Sequence, residues 1–146
     1  MLPALPDDEV EARVEHRMRR QTVFDRDEPP EFEAVVHEAA LRMRVGGRKV
    51  ARRQLEHLLE TSERFQVTLR VIPFASEEFV EVTQTVLYAG GSCPSSMPCT
   101  STHPSGRVSD AAADLNKYRI QLDFAQRVSM EPEESRSLIH HIARDL

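Results

Sequence analysis

Tryptophan is absent from this 146-residue sequence, and there are only two tyrosines and six phenylalanines. The core must therefore be aliphatic, and any ligand pocket lined by Leu, Val and Ile. Cysteine occurs twice, at Cys93 and Cys99. One pair is not a disulfide framework, and a chain of this length buries a core without one. No apolar run approaches the roughly 20 residues that span a bilayer. Met1 to Asp8 also lacks the basic and apolar pattern of a signal peptide, so the expected location is the cytoplasm, with no membrane contact. Positive charge is not in excess either. A formal net charge of -5 removes any general attraction for nucleic acid or anionic membranes and leaves such contacts to a local patch. The sequence has no Walker lysine-serine pattern, no G-x-G-x-x-G, no Ser or Cys in a nucleophile setting, and no pair of carboxylates placed by a motif. No catalytic residue, cofactor or metal is assigned, and the protein is not expected to be an enzyme. There is no internal repeat, and the expectation is a single domain over residues 1–146.

What is present centres on Glu31 to Phe74. A strand-like run (Phe32 to Leu41) is followed by a Gly46-Gly47 turn, a helix pattern (Lys49 to Arg64) and a second strand-like run (Val67 to Phe74) that Pro73 helps to end. A connection long enough to hold a helix returns the second strand parallel to the first, so this is read as one strand-helix-strand unit. Val50, Ala51, Leu55, Leu58 and Leu59 form the expected buried face of the helix, and both faces of the first strand are partly apolar, as in an interior strand. Before this unit, Asp7 or Asp8 caps a helix with Val10, Val14 and Met18 on one stripe. That helix is supported by the i,i+4 pairs Glu9–Arg13 and Glu15–Arg19 and is expected to lie on something larger. After the unit come a third strand (Val82 to Tyr88), a well-buried helix (Asp110 to Val128) and a last helix (Pro132 to Leu146). The fold class expected is α/β to mixed α+β, a small twisted sheet flanked by about four helices.

Three features invite a functional reading. Arg42, Arg44, Arg48, Lys49, Arg52 and Arg53 cluster around the Gly46-Gly47 turn at a helix N-terminus. Free backbone N–H groups, the helix dipole and these cations suit a phosphate or carboxylate, with Gly46, Gly47, Arg48, Lys49 and Arg52 as the candidate site; the competing reading is a solvated basic face. Cys93, Cys99 and His103, with His140 or His141, have zinc-ligand chemistry, but five residues separate the cysteines where structural sites use tighter pairs, and no metal site is assigned. His37 and Glu38 are neighbours on a predicted strand, so their side chains point to opposite faces and form no acid-base dyad; His57 is read as structural or surface-exposed. The last two helices have apolar faces that serve either packing on the sheet or a dimer interface.

The segments Asp7-Asp8-Glu9-Val10-Glu11-Ala12-Arg13, Arg20-Gln21, Glu38-Ala39-Ala40-Leu41-Arg42, Val45-Gly46-Gly47, Gln54-Leu55-Glu56-His57-Leu58-Leu59-Glu60, Val67-Thr68-Leu69-Arg70-Val71-Ile72-Pro73-Phe74 and Pro132-Glu133-Glu134-Ser135 before Leu138-Ile139 occur in an order and spacing that carry a resemblance. Together they resemble a domain of unknown function that follows an Xre-type helix-turn-helix in actinobacterial regulators, grouped as Scr-type antitoxin-like transcriptional regulators. The resemblance implies an effector-sensing, dimerising or partner-binding role, with self-association or a toxin-like protein as partner. The family's DNA-binding part lies upstream of this domain, and the chain begins almost directly on Asp7, so no direct DNA binding is expected from it alone. A small anion- or nucleotide-binding protein or enzyme using the Gly46-Gly47 turn is the alternative; a truncated, non-functional gene remnant is another.

Gly90 to Ser109 departs from the resemblance. Gly90 to Gly106 is rich in Pro, Ser and Thr without periodicity and reads as a long loop where the family carries an alternating strand. With suitable serine codons, Ser95 to Thr102 read two bases on spells Leu-Asp-Ala-Val-His-Val-Asp, an apolar-polar alternation. Ser92 to Ser109 is accordingly read as the scar of a local frameshift, leaving the sheet short of a strand.

Overall fold

The computed structural model describes residues 6–78, 87–88, 101–102, 108–109 and 112–146. Its centre is a parallel pair, β1 (Phe32–His37) and β2 (Val67–Ile72), in register from Phe32 opposite Val67 to His37 opposite Ile72. The Phe32 N–H extends the ladder by donating to the Gln66 carbonyl at 2.7 Å. Between the strands run a short helix α2 (Glu38–Arg42) and a longer helix α3 (Arg48–Thr61). Parallel strands need such a crossover, and the strand-helix-strand unit read from the sequence is present.

Alternation sorts the strand residues. Ala34, Val36, Leu69 and Val71 turn to one face, where α3 brings Leu55 and Leu59, α2 brings Leu41, and the last helix, α5 (Pro132–Arg144), brings Ile139, Ile142 and Ala143. Val71 and Ile139 have no exposed surface. Each fully buried aliphatic side chain stabilises by about 1.5–3 kcal/mol, so this cluster dominates the folding energy. α5 starts as its sequence suggests, with Pro132 in the first turn and Glu133 and Glu134 near the positive end of the helix dipole. Its Ser135 is fully buried: the hydroxyl accepts from the Val71 N–H at 2.9 Å and donates to the Met130 carbonyl at 3.2 Å, while the Met130 N–H donates to the Val71 carbonyl at 2.8 Å. Both main-chain groups of Val71 on the free side of β2 are thus occupied, which blunts that edge against pairing with other chains.

On the opposite face, Arg70 is held by the Glu131 carboxylate at 3.1 Å and the Met130 carbonyl at 3.4 Å. Its buried Nε lies 3.5 Å from Glu33 without a hydrogen bond, and Gln126 of α4 (Ala112–Val128) donates to the same Glu33 oxygen at 2.8 Å. This polar latch ties the α4–α5 corner to both strands. Three two-residue strands, β3 (Leu87–Tyr88), β4 (Ser101–Thr102) and β5 (Val108–Ser109), form a separate antiparallel sheet in the order β3-β4-β5. The fold is mixed α+β, and among the described residues no helix is long and apolar enough to cross a membrane.

Several expectations are corrected. The first strand ends at His37, not Leu41: the His37 Nδ1 accepts the Ala39 N–H at 3.1 Å and caps α2. Glu38 is therefore a helix residue, and the argument that strand alternation separates it from His37 fails. Among the described residues β1 pairs with β2 alone, not as an interior strand. Leu87–Tyr88, the described part of the third strand's predicted range, is a strand that pairs with β4 and not with the central pair; the rest of that range lies outside the described residues. Ser101–Thr102, inside the predicted loop, is extended and pairs with Val108–Ser109 just beyond it; the rest of the segment read as a frameshift scar, with Cys93, Cys99 and His103, falls outside the described residues. Val50 is exposed, so the buried face of α3 is Ala51, Leu55 and Leu59 with Leu58 at its margin. In α4 only Ala125 is buried among the described side chains, and Ile120 is exposed; this helix covers the sheet with one end rather than one whole face.

The first helix, α1 (Asp7–Gln21), is the largest departure. It is capped by the backbone of Pro6, whose carbonyl accepts from Glu9 and Val10 N–H, and neither Asp7 nor Asp8 caps it. Its i,i+4 pairs Glu9–Arg13 and Glu15–Arg19 form at 2.6 Å each. None of its residues is buried: Val10, Val14 and Met18 are 43%, 53% and 57% exposed. A short 3-10 helix at Thr22–Asp25 follows, and Phe24 packs edge-on against Phe32 at 5.3 Å, fastening the chain to β1 just beyond α1.

Candidate functional site

In a parallel strand-helix-strand unit the helix runs back antiparallel to the strands, so the helix N-terminus and the strand carboxyl ends share one end of the unit. Ligands of open α/β sheets are held there. Glu38 organises this end. As the first residue of α2 it turns inward, and only 6% of its surface is exposed. Its Oε2 accepts the Phe74 N–H at 2.8 Å, and its Oε1 receives the Arg42 guanidinium at 2.7 Å. Burial pushes the Glu38 carboxyl up, but the Phe74 N–H, the Arg42 side chain and the field of His37 together outweigh it and hold the group below its ordinary 4.5. One carboxylate thereby ties the chain leaving β1 to the chain leaving β2. Beside it, His37 and Phe74 meet ring to ring at 5.5 Å and, with Ile72, Pro73, Ser76, Glu77 and Glu78, line an open pocket of about 330 Å³. The lining is not purely aliphatic, because Phe74 and two acids reach it.

The Gly46-Gly47 turn has the form the sequence predicts. The Gly47 N–H donates to the Arg44 carbonyl at 2.9 Å, and Gly46 has φ 77°, as the third residue of a type II turn requires. Gly47 has φ 90° and is the N-cap of α3; no side chain caps the helix. A Cβ on Gly46 would stand 3.0 Å from Val50 Cγ1, whereas one on Gly47 would meet nothing within 4 Å, so Gly47 is required by its backbone angle alone.

The cations divide. Arg42 is committed to Glu38, and Arg52 pairs with Glu56 at 3.3 Å. Arg48 and Lys49 are exposed and form no ion pair among the described residues. The candidate anion site therefore comes down to Gly47, Arg48 and Lys49 at the start of α3, with Gly46 shaping the turn and Arg52 diverted. His57 is exposed on α3; His140 and His141 are exposed on α5, and His141 lies 3.5 Å from Asp145. Glu38 is read in the sequence only as the strand neighbour of His37, and Ser135 only as part of a helix start. The Glu38–Arg42 spacing is a helix pair, but the apolar alternation preceding it pointed to a strand. Nothing local distinguishes Ser135 from any hydroxyl in a first helical turn.

Compared with known protein families, residues 1–141 match the family model described as a domain of unknown function, DUF5753. No curated protein and no solved structure matches the chain.

Proposed function

The chain belongs to the DUF5753 family, and from that premise we propose that it is the dimerising, partner-binding or effector-sensing region of an Xre-type, antitoxin-like transcriptional regulator. It acts by binding that biases a separate DNA-binding element. One observation carries the reading: α1 holds a full apolar stripe in solvent while the core of α2, α3, α5 and the strand pair closes without it. A fifteen-residue helix with an apolar face is rarely stable by itself, and such faces mark contacts with other chains. A toxin-like protein and a second copy are the partners to consider. The test is a gel shift with the isolated chain, alone and fused to a monomeric helix-turn-helix. The expected result is no specific DNA binding by the chain and a large gain of operator affinity in the fusion. Specific binding by the chain alone overturns the reading.

A second reading, a small anion- or nucleotide-binding protein, is favoured by one feature: α3 begins with uncapped backbone donors beside Arg48 and Lys49. It predicts that phosphate raises the melting temperature and that Arg48→Ala with Lys49→Ala removes the rise. A rise that survives the double substitution eliminates the turn as its source.

A further inference from the structure

We infer that α1 pairs with α1 of a second copy of this chain, in parallel and stripe to stripe. The inference deepens the partner-binding reading above and rests on it. Val10, Val14 and Met18 are spaced four residues apart and lie on one exposed stripe. At 100° per residue, Glu11 and Glu15 border that stripe on one side, and Arg13 and Arg17 border it on the other. Each border thus carries a single sign, even though the whole helix contains both.

This arrangement chooses among occupants and orientations. In a parallel pair, the left border of one helix faces the right border of the other, so acid meets base on both sides of the seam. In an antiparallel pair each border faces its own kind, Glu11 and Glu15 against the same acids, Arg13 and Arg17 against the same bases, and like charges repel. A second copy supplies both complementary borders and the matching apolar stripe through one two-fold axis. Glu11 and Arg17, the closest charges on either side of the stripe, form no ion pair among the described residues; Asp7 falls on the line of the stripe at the helix start, where a parallel pair sets it against its own copy, so the seam begins at Val10. Three apolar residues per helix make a small seam, so the association is weak and concentration-dependent.

The experiment uses the full chain. Sedimentation from roughly 10 µM to 1 mM should show the mass rising toward twice the monomer, and Val14→Asp should return it to monomer with an unchanged circular dichroism spectrum. Orientation is read by oxidation in a Cys93→Ser, Cys99→Ser background. In a parallel pair Val10→Cys links to itself and Met18→Cys links to itself, whereas mixing the two adds little. A monomer throughout, a dimer that survives Val14→Asp, or cross-links formed only between the Val10→Cys and Met18→Cys variants overturns the inference. Specific DNA binding by the isolated chain, which overturns the regulatory reading, is independent of whether α1 pairs, so failure of the pairing and failure of that reading are told apart.

Discussion

Glu38 concentrates more of the structure in one side chain than its neighbours do. Its two oxygens receive the Phe74 N–H and the Arg42 guanidinium, and its carboxyl is held below 4.5. Replacing it by Gln removes the charge from these hydrogen bonds, and the expected loss of stability near neutral pH is about 1.5–3 kcal/mol, measured by urea unfolding. The sign of the pH dependence follows from the direction of the shift. A carboxyl that ionises more readily in the folded chain stabilises it fully above the unfolded value and loses that effect as pH falls through the folded value. The gap between the parent and Glu38→Gln should therefore narrow below about pH 4.5, and a gap that is constant with pH would show that the ionised form is not what matters. The residue is visible in the sequence only as the first half of an i,i+4 pair. Its burial was hidden because Phe32 to Leu41 alternates well enough to read as one strand, and only the His37 imidazole, by capping α2, breaks the run. Gly46 and Gly47 were legible for the opposite reason: two adjacent glycines before a helix pattern demand a turn whatever surrounds them.

At the level of elements, legibility follows the strength of the apolar period. α3 and α5 have buried residues at helical spacing and start within one residue of where the sequence places them, ending two to three residues earlier, and β2 ends where Pro73 predicts. α1 and α4 were found as helices but misjudged in their surroundings, since a stripe in sequence states which side is apolar and not what covers it. β3 falls inside the strand predicted at Val82 to Tyr88, whereas β4 and β5 lie where the sequence shows no apolar period. Between elements, the joint that matters most is α5 against the free side of β2. Ser135→Ala leaves the Val71 N–H buried without its acceptor and should cost about 1–3 kcal/mol in denaturant unfolding. The substitution should also speed hydrogen exchange at Val71 more than at Arg70, whose N–H points to β1 in the parallel ladder; equal acceleration at both would indicate general loosening instead.

Across the whole molecule, mixed α+β was legible because one strong helix sits between two strand-like runs, whereas the division into two small sheets was not, since sheet membership depends on contacts distant in sequence. The candidate site shows the same boundary. Gly46, Gly47, Arg48 and Lys49 lie together in sequence and can be proposed from it, while the pocket at His37 and Phe74 joins two segments that only the parallel pairing brings side by side. That pairing, and the covering of its free side from the far end of the chain, also set an order of events during synthesis. Val71 and Ser135 are 64 residues apart. At roughly 5–20 residues per second, a ribosome needs roughly 3–13 s to make that interval, and β2 emerges with one side uncovered for at least that long. The nascent chain is thus open to misassociation at its best-formed strand until the last helix is released to close it.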